Sequence, residues 1–223
     1  MSDTHIAVAI DGPAASGKST VAKTLAKRLG LIMVNTGAMY RAVAWASIQK
    51  GVDPLDSAAV ISMLDDVDFR CGVSNNLSTV LVDGVDPGDA LRQDVVNSRV
   101  SKVAAIPEVR ELLVEMQRDY LKLGSVVMEG RDIGSVVFPE TPFKMYIDAS
   151  EEVRRRRRAA EGIIDDPTAR DKEDSKRKTA PLMVADGAVK IDSSELSIEQ
   201  VVEAALNVLR ERGAPAELLA DSN

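Results

Sequence analysis

The sequence predicts an α/β chain with a five-stranded parallel sheet and helices on both of its faces. Three observations carry that reading. Short apolar runs of strand length alternate with amphipathic helical stretches, the first run leads straight into a glycine-rich loop that opens a helix, and hairpin-like text interrupts the alternation once, at residues 67–91.

Ile6 to Ile10 is an apolar run suited to a buried strand. Gly12-Pro13-Ala14-Ala15-Ser16-Gly17-Lys18-Ser19-Thr20 follows and fits the pattern G-x-x-x-x-G-K-[ST] at every specified position. From Ser19 onward Val21, Leu25 and Leu29 recur at helical spacing until Gly30 stops them. Leu31 to Val34 is the second strand, and Gly37 opens a helix, Ala38 to Lys50, closed by Gly51. Asp53-Pro54 predicts a helix start with Asp53 as N-cap, leading to Val60, Ile61 and Leu64. Asp68 to Val73 and Leu77 to Gly84, joined by Ser74-Asn75-Asn76, read as a hairpin inserted into the pattern. Asp94 to Ala105 and Glu108 to Leu123 read as two helices divided by Ile106-Pro107. Ser125 to Met128, Phe143 to Ile147 and Ala188 to Ile191 complete the five strands, with a charge-dense stretch between the last two. Ser197 with Gln200 makes a capping box for a final amphipathic helix through Arg210, ended by Gly213.

A loop of this pattern between strand and helix binds a polyphosphate. Glycines let successive backbone N–H groups turn toward phosphate oxygens, the helix N-terminus adds a favourable dipole, and Lys18 supplies a mobile charge. In a parallel sheet, ligands collect at the carboxyl ends of the strands.

The chain has 223 residues, 45% of them hydrophobic, enough for one globular unit over 1–223. A formal net charge of −7 argues against dedicated nucleic-acid binding, which shows as an excess of Lys and Arg. The single cysteine, Cys71, excludes an internal disulfide and fits a structural role in a reducing compartment. No apolar run reaches the roughly 20 residues that span a bilayer, and Met-Ser-Asp-Thr-His has no basic region followed by an apolar core, so a cytoplasmic chain without membrane partners is expected. The lone histidine, His5, lies before the first strand and reads as a solvated bystander.

Several stretches together resemble the bacterial cytidylate kinases, nucleoside monophosphate kinases of the P-loop group. The resemblance runs from Ile6 to about Leu209. It rests on Asp11 to Thr20, Asn35-Thr36-Gly37-Ala38-Met39-Tyr40-Arg41, Val103 to Arg110, Glu129-Gly130-Arg131-Asp132-Ile133-Gly134 through Pro139, and the hairpin, which is similar to the family's β insert. It implies the P-loop kinase fold, with that insert on the monophosphate side and a lid at about 154–170. It also implies transfer of the ATP γ-phosphate to CMP or dCMP with Mg²⁺ as the cofactor that accompanies ATP; a monomer is expected.

Phosphoryl transfer asks for positioning and positive charge, and a monophosphate oxygen is already an anion near pH 7, its second pKa being about 6. Arginines rather than a general base should therefore carry the chemistry. By resemblance Lys18, Arg131 and Arg158 are catalytic, and Gly12 to Thr20 with Arg154 and Arg157 bind ATP. Thr36, Tyr40, Arg41, Ser101, Arg110, Arg131, Asp132, Arg170, Asp174 and Arg177 bind CMP by the same resemblance. Ser19 contacts the metal, and Glu129 helps hold it through water. Cytosine presents an amino donor where uracil presents an acceptor oxygen, so Asp132, an acceptor when ionised, is the expected discriminator.

Other readings compete at several positions. Arg41 and Arg131 could be surface ion-pairing residues, and Ser101 a solvent-facing helix residue. Arg154 to Arg158 could be a solvated face or an RNA-contacting patch; in a helix Arg154, Arg157 and Arg158 share a face while Arg155 points elsewhere. Arg170, Asp174 and Arg177 could be an ion-pair ladder. For the whole chain the rivals are a related kinase for UMP or shikimate and a noncatalytic nucleotide- or RNA-binding module.

Overall fold

The computed structural model describes residues 5–160, 167–177 and 179–219. The centre of the predicted lid, 161–166, lies outside the described residues. Strand β1, Ala7–Asp11, is buried along its whole length. Its side chains alternate between two cores: Ala7 and Ala9 face one, Val8 and Ile10 the other. Helix α1, Lys18–Leu29, follows the loop and ends at Gly30, whose left-handed backbone lets the chain reverse. Strand β2, Ile32–Asn35, leads into α2, Thr36–Gln49, which Asn35 caps by accepting from Ala38 N–H at 3.0 Å.

Helix α3 begins later than expected. Asp53 only accepts from Leu55 N–H in a local turn at 3.0 Å. Asp56 is the cap, and α3 runs over Ser57–Leu64, a start that sends Val60 and Met63 into the core.

The expectation of a five-stranded sheet is corrected to seven. Strands β3, Phe69–Ser74, and β4, Leu77–Val82, form the hairpin about Asn75 and Asn76, both in the left-handed region that suits a tight turn. Strand β4 also lies parallel beside β2, with Leu77 opposite Met33. Met33 N–H donates to Asn76 O at 2.8 Å and Asn35 N–H to Ser78 Oγ at 3.2 Å. The hairpin thus supplies partners for a β2 edge whose amides would otherwise be unpaired.

The stretch 94–105 holds two short helices in place of one: α4, Asp94–Asn97, and α5, Val100–Val103. At the break the Arg99 guanidinium donates to Val95 O at 3.1 Å, and the Asn97 side chain donates to Arg92 O at 2.7 Å. Helix α6, Pro107–Asp119, starts with proline at its first turn. Strands β5, Val126–Gly130, β6, Lys144–Asp148, and β7, Val189–Asp192, complete the sheet in the order β3-β4-β2-β5-β1-β6-β7. All neighbours are parallel except β3 with β4.

Helices α7, Glu151–Ala160, and α8, Pro167–Ser175, follow β6 and flank the undescribed lid centre. Helix α9, Ile198–Glu211, carries the expected capping box, and α10 spans Ala216–Leu219. The chain leaves β1 for β2 on one side, then places β5 between them and β6 on the other side. The resulting crevice opens at the carboxyl ends of β1, β2 and β5.

Candidate active site

The floor of the crevice is the loop after β1. A Cβ on Gly12 would sit 2.1 Å from Ile147 O, so only glycine lets the loop pass β6 here. The backbone turns through positive φ at Ala15 and Gly17 before α1 begins at Lys18. Lys18 is buried, and its Nζ donates to Pro13 O at 3.0 Å. Burial first, then Arg131, pulls its pKa down to about 7, while Glu129 and Asp171 oppose the fall. Ser19 Oγ donates to Glu129 Oε1 at 2.8 Å, which brings a hydroxyl and a carboxylate together at the mouth of the loop.

A second wall is built by α2, α5, α6 and the turn after β5. Thr36 Oγ1 donates to Glu129 O at 2.9 Å. Arg41 Nε donates to Asn97 Oδ1 at 2.9 Å, so the break between α4 and α5 serves to orient this arginine. Burial lowers the Arg41 pKa. Arg110 pairs with Asp132 in a buried ion pair, donates to Ala104 O at 3.2 Å, and lies 5.5 Å from the Tyr40 ring centroid. Burial raises the Asp132 pKa, and Arg110 opposes the rise.

The third wall comes from α7 and α8. Arg131 Nε pairs with Asp174 Oδ2 at 2.9 Å and its other nitrogens reach Gly12 O and Asp171. Arg177 pairs with Asp174 as well. Among the described residues, Arg170 Nε and Arg177 Nε are buried without a hydrogen-bond partner, a feature of a wall built to receive acceptor oxygens. Burial, with Arg41 and Arg131 nearby, lowers the Arg170 pKa to about 9.

These walls enclose a cleft of about 1020 Å³, its open mouth included. Lys18, Arg131 and Arg158 all line it. So do Ala14, Ala15, Gly17, Ser19 and Thr20 of the loop, and Thr36, Tyr40, Arg41, Arg110, Glu129, Asp132, Arg170, Asp174 and Arg177.

Others of the expected residues stand behind the walls. Arg154 is buried against Ala14 O, Ala149 O and Asp171, so it props the loop from behind and does not line the cleft. Arg157 donates to Ser16 O at 3.0 Å and Ser193 O at 2.8 Å, tying the loop to the segment after β7. Ser101 is buried rather than solvent-facing, and its hydroxyl donates to Asp174 at 3.2 Å. Gly12, Pro13 and Ser16 shape the loop without lining the cleft. Arg155 turns outward to Glu151, on the face opposite the inward arginines.

The cytidylate kinase family model matches residues 8–211. The chain belongs to the cytidylate kinase family. Cytidylate kinase from Geobacillus kaustophilus is 44% identical over 219 residues, covering 93% of this chain and 98% of the relative. Cytidylate kinase from Lactiplantibacillus plantarum is 42% identical, covering 95% and 98%, and one from Clostridium botulinum is 39% identical, covering 92% and 98%. Among solved structures, a sugar kinase from a Janibacter species shares the fold with a TM-score of 0.51 at 16% identity, covering 96% of this chain and 98% of that one.

In this cytidylate kinase family member, several residues that hold the site have no motif of their own. Asp171 accepts from Ala14 N–H at 2.9 Å, pairs with Arg154, and lies 3.5 Å from Arg131. Its signal was its spacing: three residues before Asp174 on α8, it shares that residue's face. Asn97 accepts from Arg41 and Ser193 from Arg157, side-chain bonds that sequence spacing does not announce. Asp11 lay inside the quoted loop stretch, but its partners are 122 and 123 residues away.

Proposed function

We propose that the chain transfers the γ-phosphoryl group of ATP to CMP or dCMP, giving the nucleoside diphosphate. The observation that carries this is the Arg110–Asp132 pair in the same cleft as the phosphate loop. Side by side, a fixed acceptor and a fixed donor match cytosine, whose amino group donates and whose ring nitrogen and carbonyl accept. Uracil presents the reverse at two of those three positions. Family membership supports the same reading.

Lys18 and the loop amides would hold the ATP phosphates, with Arg131 and Arg158 facing the transferred group from the other walls. Arg41 would hold the monophosphate, whose own oxygen attacks without a general base. Arg170, Asp174 and Arg177, with Ser101 behind Asp174, would serve the sugar and phosphate of CMP. Arg154 and Arg157 would act on ATP through the loop they brace.

The Ser19 hydroxyl and Glu129 carboxylate are hard oxygen donors 2.8 Å apart, a set that fits Mg²⁺. Among the described residues no cluster of three acidic, histidine or cysteine side chains could hold a metal unaided, which fits an ion arriving with the nucleotide. When bound, Mg²⁺ neutralises charge on the transferring phosphate.

We read the chain as one catalytic unit that works as a cytoplasmic monomer in pyrimidine nucleotide metabolism. The free Cys71 thiol fits a reducing compartment, and no helix among the described residues is long and apolar enough to cross a membrane. The inward aim of Arg154 and Arg157 favours a kinase over an RNA-contacting patch. A coupled assay for ADP formation across CMP, dCMP, UMP, AMP and shikimate tests the reading. Turnover with CMP and dCMP well above the others is expected; no ADP formation with CMP, or a preference for UMP, overturns it.

A further inference from the structure

Asp11 is a buried carboxylate that the proposed transfer does not use. It ends β1 immediately before Gly12, yet its side chain reaches across to the second wall. Oδ1 accepts from Ile133 N–H and Oδ2 from Gly134 N–H, both at 2.8 Å. Those amides directly follow Asp132 and open a π-helical turn, Ile133–Val137, a rare geometry that clusters at functional sites.

We propose that Asp11 is a positioning residue for base selection: its two oxygens fix the Arg131–Asp132 turn to the strand that carries the phosphate loop. The inference rests on the kinase reading given above.

The turn has little other freedom. A Cβ on Gly130 would lie 2.6 Å from Thr36 Oγ1, and one on Gly134 would lie 3.2 Å from the Lys144 side chain and 3.3 Å from Ala185 Cβ. Between these close approaches Asp11 holds the amides from one side, and Arg131 reaches back to Gly12 O from the other. Two convergent N–H donors need two acceptor oxygens, which a carboxylate supplies. An amide of the same shape supplies one oxygen and sets an NH₂ against the second donor.

The fold alone has little use for a charge here, because burial pushes the Asp11 pKa up to about 7. The groups facing it are Lys18 from α1, which favours its charge, and Asp132 from the turn, which opposes it. Tyr146, its register partner on β6, stands alongside.

The test is D11N, with D11S as a second variant whose hydroxyl is shorter and uncharged. Steady-state kcat/KM for CMP and UMP at saturating MgATP, and the ATP KM at saturating CMP, are measured with thermal unfolding of the same samples. D11N should remain folded at the assay temperature. Its CMP KM should rise about tenfold and its CMP-over-UMP preference fall about tenfold, the loss expected for one charged hydrogen bond, with ATP KM moving less than about twofold. In the parent the preference should decline as pH falls through about 7. In D11N it should decline less, because the carboxyl that takes up a proton near pH 7 is gone. Parent-like preference and pH profile in a folded D11N or D11S would overturn the assignment. Failure of both variants to fold would do so too, since the role would then be structural. A parent that makes no CDP would instead refute the kinase reading.

Discussion

Replacing Lys18 with methionine separates what the lysine does for turnover from what it costs the fold. The ammonium is buried, with Pro13 O as its hydrogen-bonding neighbour, and its pKa is held at about 7 against 10.5 when unfolded. That difference corresponds to at most about 5 kcal/mol of destabilisation when the group is charged in both states. Losing the Pro13 bond returns about 1 kcal/mol, so Lys18→Met should stabilise the protein by up to about 4 kcal/mol at pH 7 and below. The sign follows from proton counts. Between pH 7 and 10.5 the unfolded chain keeps the proton that the folded one has released, so parent stability climbs with pH and the variant's advantage shrinks. Urea unfolding at intervals from pH 6 to 10 measures it, and subtracting the two curves leaves Lys18 together with the groups coupled to it, Asp11 among them. Turnover with ATP and CMP should fall at least about a hundredfold, as for loss of other preorganised charge donors. A variant no more stable at pH 7, with a stability difference flat in pH, would refute the burial argument; turnover within tenfold of the parent would refute the catalytic one.

Asp132→Asn should lower the CMP-over-UMP preference by about tenfold to a hundredfold in kcat/KM, since an amide can donate to the uracil oxygen. It should also cost about 3 kcal/mol in chemical unfolding, because buried Arg110 is left without its carboxylate. Gly12→Ala must move β6 or the loop to escape the Ile147 carbonyl, so a loss of about 1–3 kcal/mol and of ATP binding by calorimetry is expected. Glu129→Gln keeps an acceptor for Ser19 but removes the charge, and should raise the Mg²⁺ concentration for half-maximal turnover by about tenfold or more. An unchanged Mg²⁺ curve would exclude Glu129 from holding the ion.

What the sequence disclosed depends on the range of the interaction. The loop from Gly12 to Thr20, the stop at Gly30, the Asn75-Asn76 turn and the Ser197–Gln200 box are local, each decided within a few residues, and their elements lie where expected. Asp53 and Asp56 are both plausible caps locally; which face of α3 the core needs decides between them, and that is a tertiary fact. The hairpin was legible as a hairpin, but its place in the sheet rests on Met33 pairing with Leu77, 44 residues on. In the arginine run the helical spacing gave the inward face correctly, yet Arg154 and Arg158 share that face and differ in task. One is taken up by Asp171 and the loop carbonyl, the other lines the cleft. Spacing reports direction; it does not report what waits there.

Charge offers a further argument about the site as a whole. The chain is acidic, at −7, yet among the described residues the cleft is lined by seven cationic side chains and three carboxylates, an excess of four positive charges. Burial, and then mutual repulsion, lower the pKa values of Lys18, Arg41, Arg170 and Arg177 together. Asp171 and Asp174 offset part of that repulsion by holding Arg131, Arg154 and Arg177. A nucleoside triphosphate with its divalent ion, together with a monophosphate, brings about four negative charges, enough to balance the excess. One phosphate-bearing ligand alone would leave the cleft unbalanced, so the charge count favours two phosphorylated substrates meeting there. A sugar or shikimate acceptor would bring less charge to the wall of Arg41, Arg110 and Arg177. The same unevenness focuses positive potential at the cleft mouth while the rest of the surface repels anions, which steers both substrates to one place.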